Sequence, residues 1–466
     1  MAPQHTPSDS ALAGLREDLA GPVYVPGDPG YDEARVVFNA MIDRRPAVIA
    51  QCETAADVTH AVLFGRETEL PIAVRGGGHS VAGSALNDGG LVVDLRRMNT
   101  VVVDPENMTA RVEGGATMSD LDRACQPFQV AVTGGRASTT GVGGFTLGGG
   151  SGWLERKFGL ACDNLLAVDL VTAAGRSVHA DDEENPELFW ALHGGGGNFG
   201  VATSMTLRVH PLPDFSIAML LYPAAAGPEV IRAFRDLAEG APDEAGGGGI
   251  YLTGPPEEFV PAELRGTLLS GALVTYAGPV DGARELAAPL FALGPAVEMV
   301  MDVPYADFQC MLDDPPGMRN YWSAEYLAEF PDTAVDVFCA RAAGMVVPSA
   351  MQHVMFPLGG QVANGPADYP VPWRTAPWAV HPFAVWDDPA DDERAIGWVK
   401  DVRADAMPWS TGAVYLNFIG AEGAQRVAEG FGEANRRRLA EVKAAYDPDN
   451  VFRFNHNIAP AAHAAA

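Results

Sequence analysis

Glycine is spread unevenly along this chain. Many of its 52 glycines fall in four short stretches: "RGGGHS" (75–80), "GVGGFTLGGGSG" (141–152), "GLACDN" (159–164) and "GGGGNFGVAT" (194–203). Glycine reaches backbone angles that other residues avoid, and it lets a ligand touch bare amides. Successive N–H groups form a nest for an anion. Tight turns would account for any one of these stretches alone. Four of them within about 130 residues point instead to a long ligand carrying phosphates. Neither common nucleotide motif fits. There is no GxxxxGK[ST] loop, and "GGGSGW" matches only half of a GxGxxG fingerprint, without a strand–loop–helix context near the N-terminus.

The segments between the glycines carry regular periods. Val58, Ala61, Val62 and Leu70 have helical spacing, and residues 71–75 then form a short buried strand. Residues 90–95 and 100–104 have strand character, and 116–126 helical character. Residues 164–180 form a hairpin turned at Ala174-Gly175, and 203–209 alternate like a half-buried strand. Helices and strands mix without a strict βαβ rhythm, which favours an α+β fold over a doubly wound sheet. After residues 210–215 the glycine signal fades and longer elements follow, such as 266–278 (strand), 392–406 and 423–446 (helices). A domain boundary is expected near 212.

Charge narrows the choice of partners. With 31 basic and 60 acidic residues the formal net charge is −29, which argues against nucleic acid or an anionic membrane surface. The opening residues lack the charged-then-apolar order of a secretory leader, and no stretch has the roughly 18 apolar residues of a membrane helix. The five cysteines are scattered and include no CxxC, which fits reduced thiols and a cytoplasmic protein. The histidines show no HxxxH or HxH pair, so metal binding has little support.

Several long, ordered motifs resemble the berberine-bridge-enzyme-like flavoprotein oxidases of the vanillyl-alcohol-oxidase fold. They are "VRGGGHSVAG" (74–83), "GVGGFTLGGGSGWLERKFGLACDNLLAVDLVTAAG" (141–175), "NPELFWALHGGGGNFGVAT" (185–203) and "YDPDNVFRFNHNI" (446–458), with "GMRNYWSAEYL" (317–327) and "VYLNF" (414–418) in the second half. The resemblance implies a PCMH-type FAD-binding domain over residues 1–212 and a substrate domain with an antiparallel sheet and covering helices over 213–420. Residues 421–466 would return to the FAD-binding domain.

It also implies that FAD is held by Arg75, Gly76, Gly77, Gly78, His79, Ser80, Gly83, Thr139, Gly141, Gly144, Thr146, Gly148, Gly149, Asn198, Gly200, Val201, Asn455 and Asn457. His79 would be joined covalently to the flavin, since a neutral imidazole is the nucleophile that bond needs. Many relatives carry a second link through a cysteine, but here that position falls on Ala137, so the chain resembles the single-link branch. Cys162 is expected to be a buried structural thiol.

For catalysis the resemblance points to Tyr415 as base and to Asn417, the two polar residues of a Y-x-N segment on an alternating strand. Gln361 stands where other relatives place an acidic base, and Trp373 where they often place a histidine. Both departures favour Tyr415. Tyr305, Tyr321, Trp322 and Tyr326 are candidate cavity walls, with ordinary core the favoured reading of each. The expected activity is an FAD-dependent oxidase that takes a hydride from a small organic metabolite and passes electrons to O2. An oxygenase or oxidative cyclase, or a flavin protein without turnover, are the alternatives. The chain is expected to act as a monomer or homodimer.

Overall fold

The computed structural model describes residues 7–462. The first six residues of the opening segment considered above for a leader therefore lie outside the described range.

Two larger sheets build the first half, beside a small pairing of Val130–Ala131 with His210–Pro211. In one, the strands Val48–Gln51 and Ile72–Arg75 flank Leu91–Asp94 in parallel, and Val23–Tyr24 adds an antiparallel edge. These three parallel strands are almost wholly buried, as parallel strands covered on both faces must be. The helix Ala55–Glu67 connects two of them. Thr54 caps it by accepting from Asp57 N at 3.2 Å, and its buried face carries Val58, Ala61 and Val62 at the spacing the sequence predicts. The other sheet has five antiparallel strands in the order Val101–Asp104, Thr109–Glu113, Val201–Arg208, Leu165–Val171, Ser177–Ala180. Its last two strands are the expected hairpin, turned at Gly175 with φ of 71°.

The second half is dominated by one eight-stranded antiparallel sheet that begins at Ser216–Pro223. Alternation divides its two faces. Leu220 and Tyr222 pack under the helices Gly227–Gly240, Asp332–Ala342 and Asp392–Ala406, together with Phe234, Phe338 and Trp398. Met219 and Leu221 point the other way, into a cavity beside the glycine loops.

Three expectations are corrected here. The glycine signal does not fade after 212, because Gly246–Gly249 lie inside the strand Ala245–Thr253 and Gly248 lines the cavity. A Cβ at Gly248 would stand 3.0 Å from Met355 O and from Val354 Cγ1, so a side chain there would fit only if these neighbours gave way by a few tenths of an ångström. The expected helix 423–446 is two helices, Ala424–Phe431 and Glu433–Tyr446, broken at Gly432 with φ of 73°. Finally, Tyr415 is not on a strand; it leads into the short 3-10 turn Leu416–Phe418.

The C-terminal stretch packs on the first half. Val414, Leu416, Phe431, Leu439 and Val442 share one core with Val112, Val168, Phe199 and Met205. Lys443 fixes this docking. Its buried ammonium donates to Asp447 Oδ2 and Asn198 O at 2.6 Å each and to Phe452 O at 2.9 Å. Asp447 in turn accepts from the Val451 and Phe452 amides. "YDPDNVF" is therefore the knot that ties the chain end to the 194–200 loop.

Candidate active site

The glycine stretches 76–78, 141–148 and 194–200 converge on one cavity of about 470 Å³, roofed by the inner face of the large sheet. That is the size of an ordinary small-molecule site. The loops are built for a ligand to lie against backbone. Cβ atoms placed at Gly144, Gly196 or Gly197 would meet nothing within 4 Å. Gly77 and Gly141 approach so closely that a Cβ on either would sit 2.3 Å from the other's amide nitrogen. The side-chain oxygen of Asn455, at the cavity edge, is buried with no hydrogen-bond partner. Bare amides, a neutral imidazole and an orphaned acceptor suit a long phosphate-bearing cofactor such as FAD.

His79 lies on the cavity wall, its ring stacked on Phe38 at 4.0 Å. Its Nε2 and Thr139 Oγ1 are 2.8 Å apart, which fixes the ring orientation. Desolvation lowers its pKa to about 4, so the imidazole is neutral at physiological pH. Gly76, Gly77, Gly78, Ser80, Gly141, Gly144, Gly148, Asn198, Gly200 and Asn455 line the same cavity.

The remaining candidates stand behind it or apart. Arg75 is buried and donates to the Ala34 and Val36 carbonyls, so it braces the loop from the rear. Gly83, with φ of 71°, turns the chain beside Ile42. Thr146 is buried in the helix Val142–Leu147, and Val201 begins a core strand. Gly149, with φ of 118°, packs against Trp373 and Tyr415. Asn457 is exposed and does not line the cavity.

Tyr415 and Asn417 meet on the wall. The Tyr415 hydroxyl oxygen accepts from the Gly150 and Ser151 amides at 3.1 Å each and from Asn417 Nδ2 at 2.9 Å. Burial pushes this phenol above its ordinary pKa, and the three hydrogen bonds pull against that rise. Gly148 is what admits Asn417: a Cβ there would lie 2.3 Å from Asn417 Oδ1. Trp373 packs on Tyr415 with ring centres 4.6 Å apart.

Gln361 is corrected outright. It is exposed at the start of a short helix, donates to Asp243 Oδ2 at 3.1 Å, and does not line the cavity. Of the four aromatic wall candidates only Trp322 lines it. Tyr305 and Tyr326 are buried core, and Tyr321 packs at the edge of the helix-covered core. Cys162 is fully buried among Leu160, Val362 and Trp373, with its thiol pushed up by desolvation.

The sequence reading missed Arg136, Trp153, Asp314, Phe356 and His381, all on the cavity wall. Arg136 is the most informative. Its guanidinium lies over Phe356 at 4.0 Å and donates to Glu155 Oε1 at 2.8 Å and to Ser151 Oγ at 3.1 Å. It therefore braces the residue whose amide holds Tyr415. The only signal for it was its place in "GRAST", beside the alanine that replaces a cysteine.

Similarity to known proteins shows the family and the fold. The family model for an FAD binding domain matches residues 46–181, and that for berberine and berberine-like proteins matches 414–459. (R)-6-hydroxynicotine oxidase of Paenarthrobacter nicotinovorans is 32% identical over 95% of this chain and 97% of its own. YvdP, an uncharacterized FAD-linked oxidoreductase of Bacillus subtilis, is 31% identical over 95% and 98%. The crystal structure of 6-hydroxy-D-nicotine oxidase from Arthrobacter nicotinovorans superposes with a TM-score of 0.84 at 28% identity, covering 95% of this chain and 98% of that one. The fold of BBE-like 1 from Physcomitrella patens is also shared, with a TM-score of 0.85 at 22% identity over 97% and 100%. The α+β architecture is thus the PCMH-type flavoprotein fold, and the chain belongs to the berberine-bridge-enzyme-like family of FAD-linked oxidoreductases.

Proposed function

We propose that this chain is an oxidase that holds FAD covalently through His79. It would oxidise a C–H bond of a small organic metabolite, such as an alcohol, sugar, amine or polyketide-like compound, with O2 as final acceptor and H2O2 as product. In this reading residues 1–212 and 421–466 carry the cofactor and 213–420 cover the substrate. The compartment proposed is the cytoplasm; among the described residues no helix is long and apolar enough to cross a membrane.

When bound, FAD supplies the hydride acceptor and the route of electrons to O2. The residues that would hold it are the cavity-lining glycines with Ser80, Asn198 and Asn455. His79 presents a neutral ring whose orientation Thr139 fixes. Ala137 occupies the cavity wall without a thiol, which supports a single link.

The observation that carries the reading is the Tyr415 oxygen, on which three N–H donors converge. A phenolate accepts all three, whereas a phenol must also place its own proton. This suits a group that gives and takes a proton at the hydroxyl of Tyr415 as a substrate O–H or N–H is deprotonated. Asn417 positions that oxygen.

The test is an anaerobic screen of metabolites against the FAD-loaded protein, read as bleaching of the flavin, followed by air and a peroxide assay. At least one compound should bleach the flavin, and near-stoichiometric H2O2 should follow. Bleaching with reoxidation that yields oxygenated product and little peroxide would overturn the oxidase assignment. A fully loaded protein that no compound bleaches would also overturn it.

A further inference from the structure

Among the described residues that line the cavity, Asp314 is the one carboxylate and Arg136 the one permanent cation. Arg136 is already neutralised by Glu155 at 2.8 Å. Asp314 has no hydrogen-bond or ion-pair partner among the described residues. Its neighbour Asp313 is occupied, because it accepts from the Ser138 amide at 2.6 Å and from the Ser138 hydroxyl. That contact pins the loop between the helix Tyr305–Met311 and the strand Arg319–Trp322 to the opposite half of the molecule. Asp314 is thereby held at the cavity with its charge unspent.

The other titratable groups of the wall do not compensate it. Burial lowers His79 to about 4 and His381 to about 3, lowers His456, and raises Tyr415, so all four are neutral near pH 7. The roof offers Met219, Leu221, Ile250, Val354, Phe356 and Phe383, an apolar surface. The cavity is therefore greasy, with one neutral ion pair and one lone carboxylate. Asp314 is half-buried at the cavity wall, where an unpaired carboxylate loses part of its hydration, and a bound cation would offset that loss. The chain's net charge of −29 adds a field that draws cations toward the protein and repels anions.

We propose that Asp314 is the specificity residue of this site and that it receives a protonated amine of the substrate. The inference rests on the cavity being the substrate site. It predicts a pH dependence as well. Desolvation and Asp313 raise the Asp314 pKa to about 7, so the carboxylate is ionised above that value and progressively lost below it. Preference for a cation should weaken as pH falls through 7.

The experiment uses the FAD-loaded protein and three probes of one shape: benzylammonium, benzyl alcohol and benzoate. Binding is read from perturbation of the flavin absorption bands and from calorimetry. At about pH 8 the wild type should bind benzylammonium about tenfold or more tighter than the alcohol, as a hydrogen bond to a charged group implies. Benzoate should bind weakest. The preference should shrink toward about pH 6, vanish in Asp314→Asn, and persist in Asp314→Glu. A wild type that binds no ammonium, or binds ammonium and alcohol equally, overturns the proposal. So does a preference that survives in Asp314→Asn, or an Asp314→Asn variant that loses FAD while its residual loaded fraction keeps the preference. Failure of the oxidase reading is separate: no metabolite would bleach the flavin, yet the cation preference would stand.

Discussion

Tyr415 is pulled in opposite directions, and the balance has a measurable consequence. Burial raises its pKa, while the Gly150 and Ser151 amides and Asn417 lower it, and the net direction is upward from 10. A base with a raised pKa is mostly protonated at neutral pH, so its active fraction grows as pH climbs. The rate of anaerobic flavin reduction should therefore rise about tenfold per pH unit from neutral toward alkaline pH, without a plateau below the ordinary tyrosine range. Tyr415→Phe should keep FAD and lose ~10²–10⁴ in that rate, with the slope gone. A variant that retains both rate and slope would move the base elsewhere. His79 makes a second prediction: acid-precipitated wild type should stay yellow, and His79→Ala should give a colourless pellet although it binds FAD from solution. A colourless wild-type pellet at full loading would exclude the covalent bond. Residues at this scale were legible where chemistry is written into consecutive positions, as in "RGGGHS" and "VYLNF". Gln361, Arg136 and Asp314 were not, because whether a side chain faces the cavity depends on pairing between segments far apart in sequence. Gln361 follows Gly359 and Gly360, a glycine pair like those beside the cavity, yet those glycines turn it outward toward Asp243.

Elements with a strong period were readable, and breaks within them were not. The helix Asp392–Ala406 and the hairpin 165–180 follow directly from apolar spacing. The break at Gly432 does not, since a glycine inside an apolar period is compatible with a continuous helix at a cost near 1 kcal/mol. What decides the break is tertiary: the helix Glu433–Tyr446 is anchored by Lys443, whose ammonium is wholly buried and paired with Asp447. A pair of this kind contributes little over an apolar substitute, but removing one partner strands the other charge and costs about 3–5 kcal/mol. Lys443→Met should therefore lower the urea midpoint strongly. Because Lys443 also donates to Asn198 O, the variant should lose flavin from the soluble fraction as well. Lys443→Met with Asp447→Leu should recover much of the stability while flavin retention stays poor. If the double variant binds FAD normally, the knot serves stability alone and does not shape the cofactor loop.

The molecule as a whole joins two halves along the cavity, and one buried carboxylate reports on that junction. Pairing between distant strands set the large sheet's order, and no local period encodes it, which is why the face that roofs the cavity could not be drawn in advance. Beside the cavity the helix Met118–Cys125 packs on the helix Tyr305–Met311, and there Gln309 Nε2 donates to Asp122 Oδ2 at 3.3 Å. Desolvation raises the Asp122 pKa to about 7. Unfolded, an aspartate titrates near ~3.9. Between those two values the folded chain holds a proton that the unfolded chain has released. The stability this proton confers is fully present below the unfolded pKa and is lost as pH rises through 7. Self-repulsion from a net charge of −29 gives a trend of the same sign, so the wild-type curve alone cannot separate the two. Asp122→Asn separates them. The amide keeps the acceptor for Gln309 and cannot ionise, while the rest of the charge is shared with the wild type. The difference in Tm between variant and wild type should be smallest near about pH 5 and should grow in favour of Asp122→Asn up to about pH 8. A difference that stays constant across that range, or that turns in favour of the wild type at alkaline pH, would mean that Asp122 stays ionised within the fold and that the junction is better solvated than its packing implies.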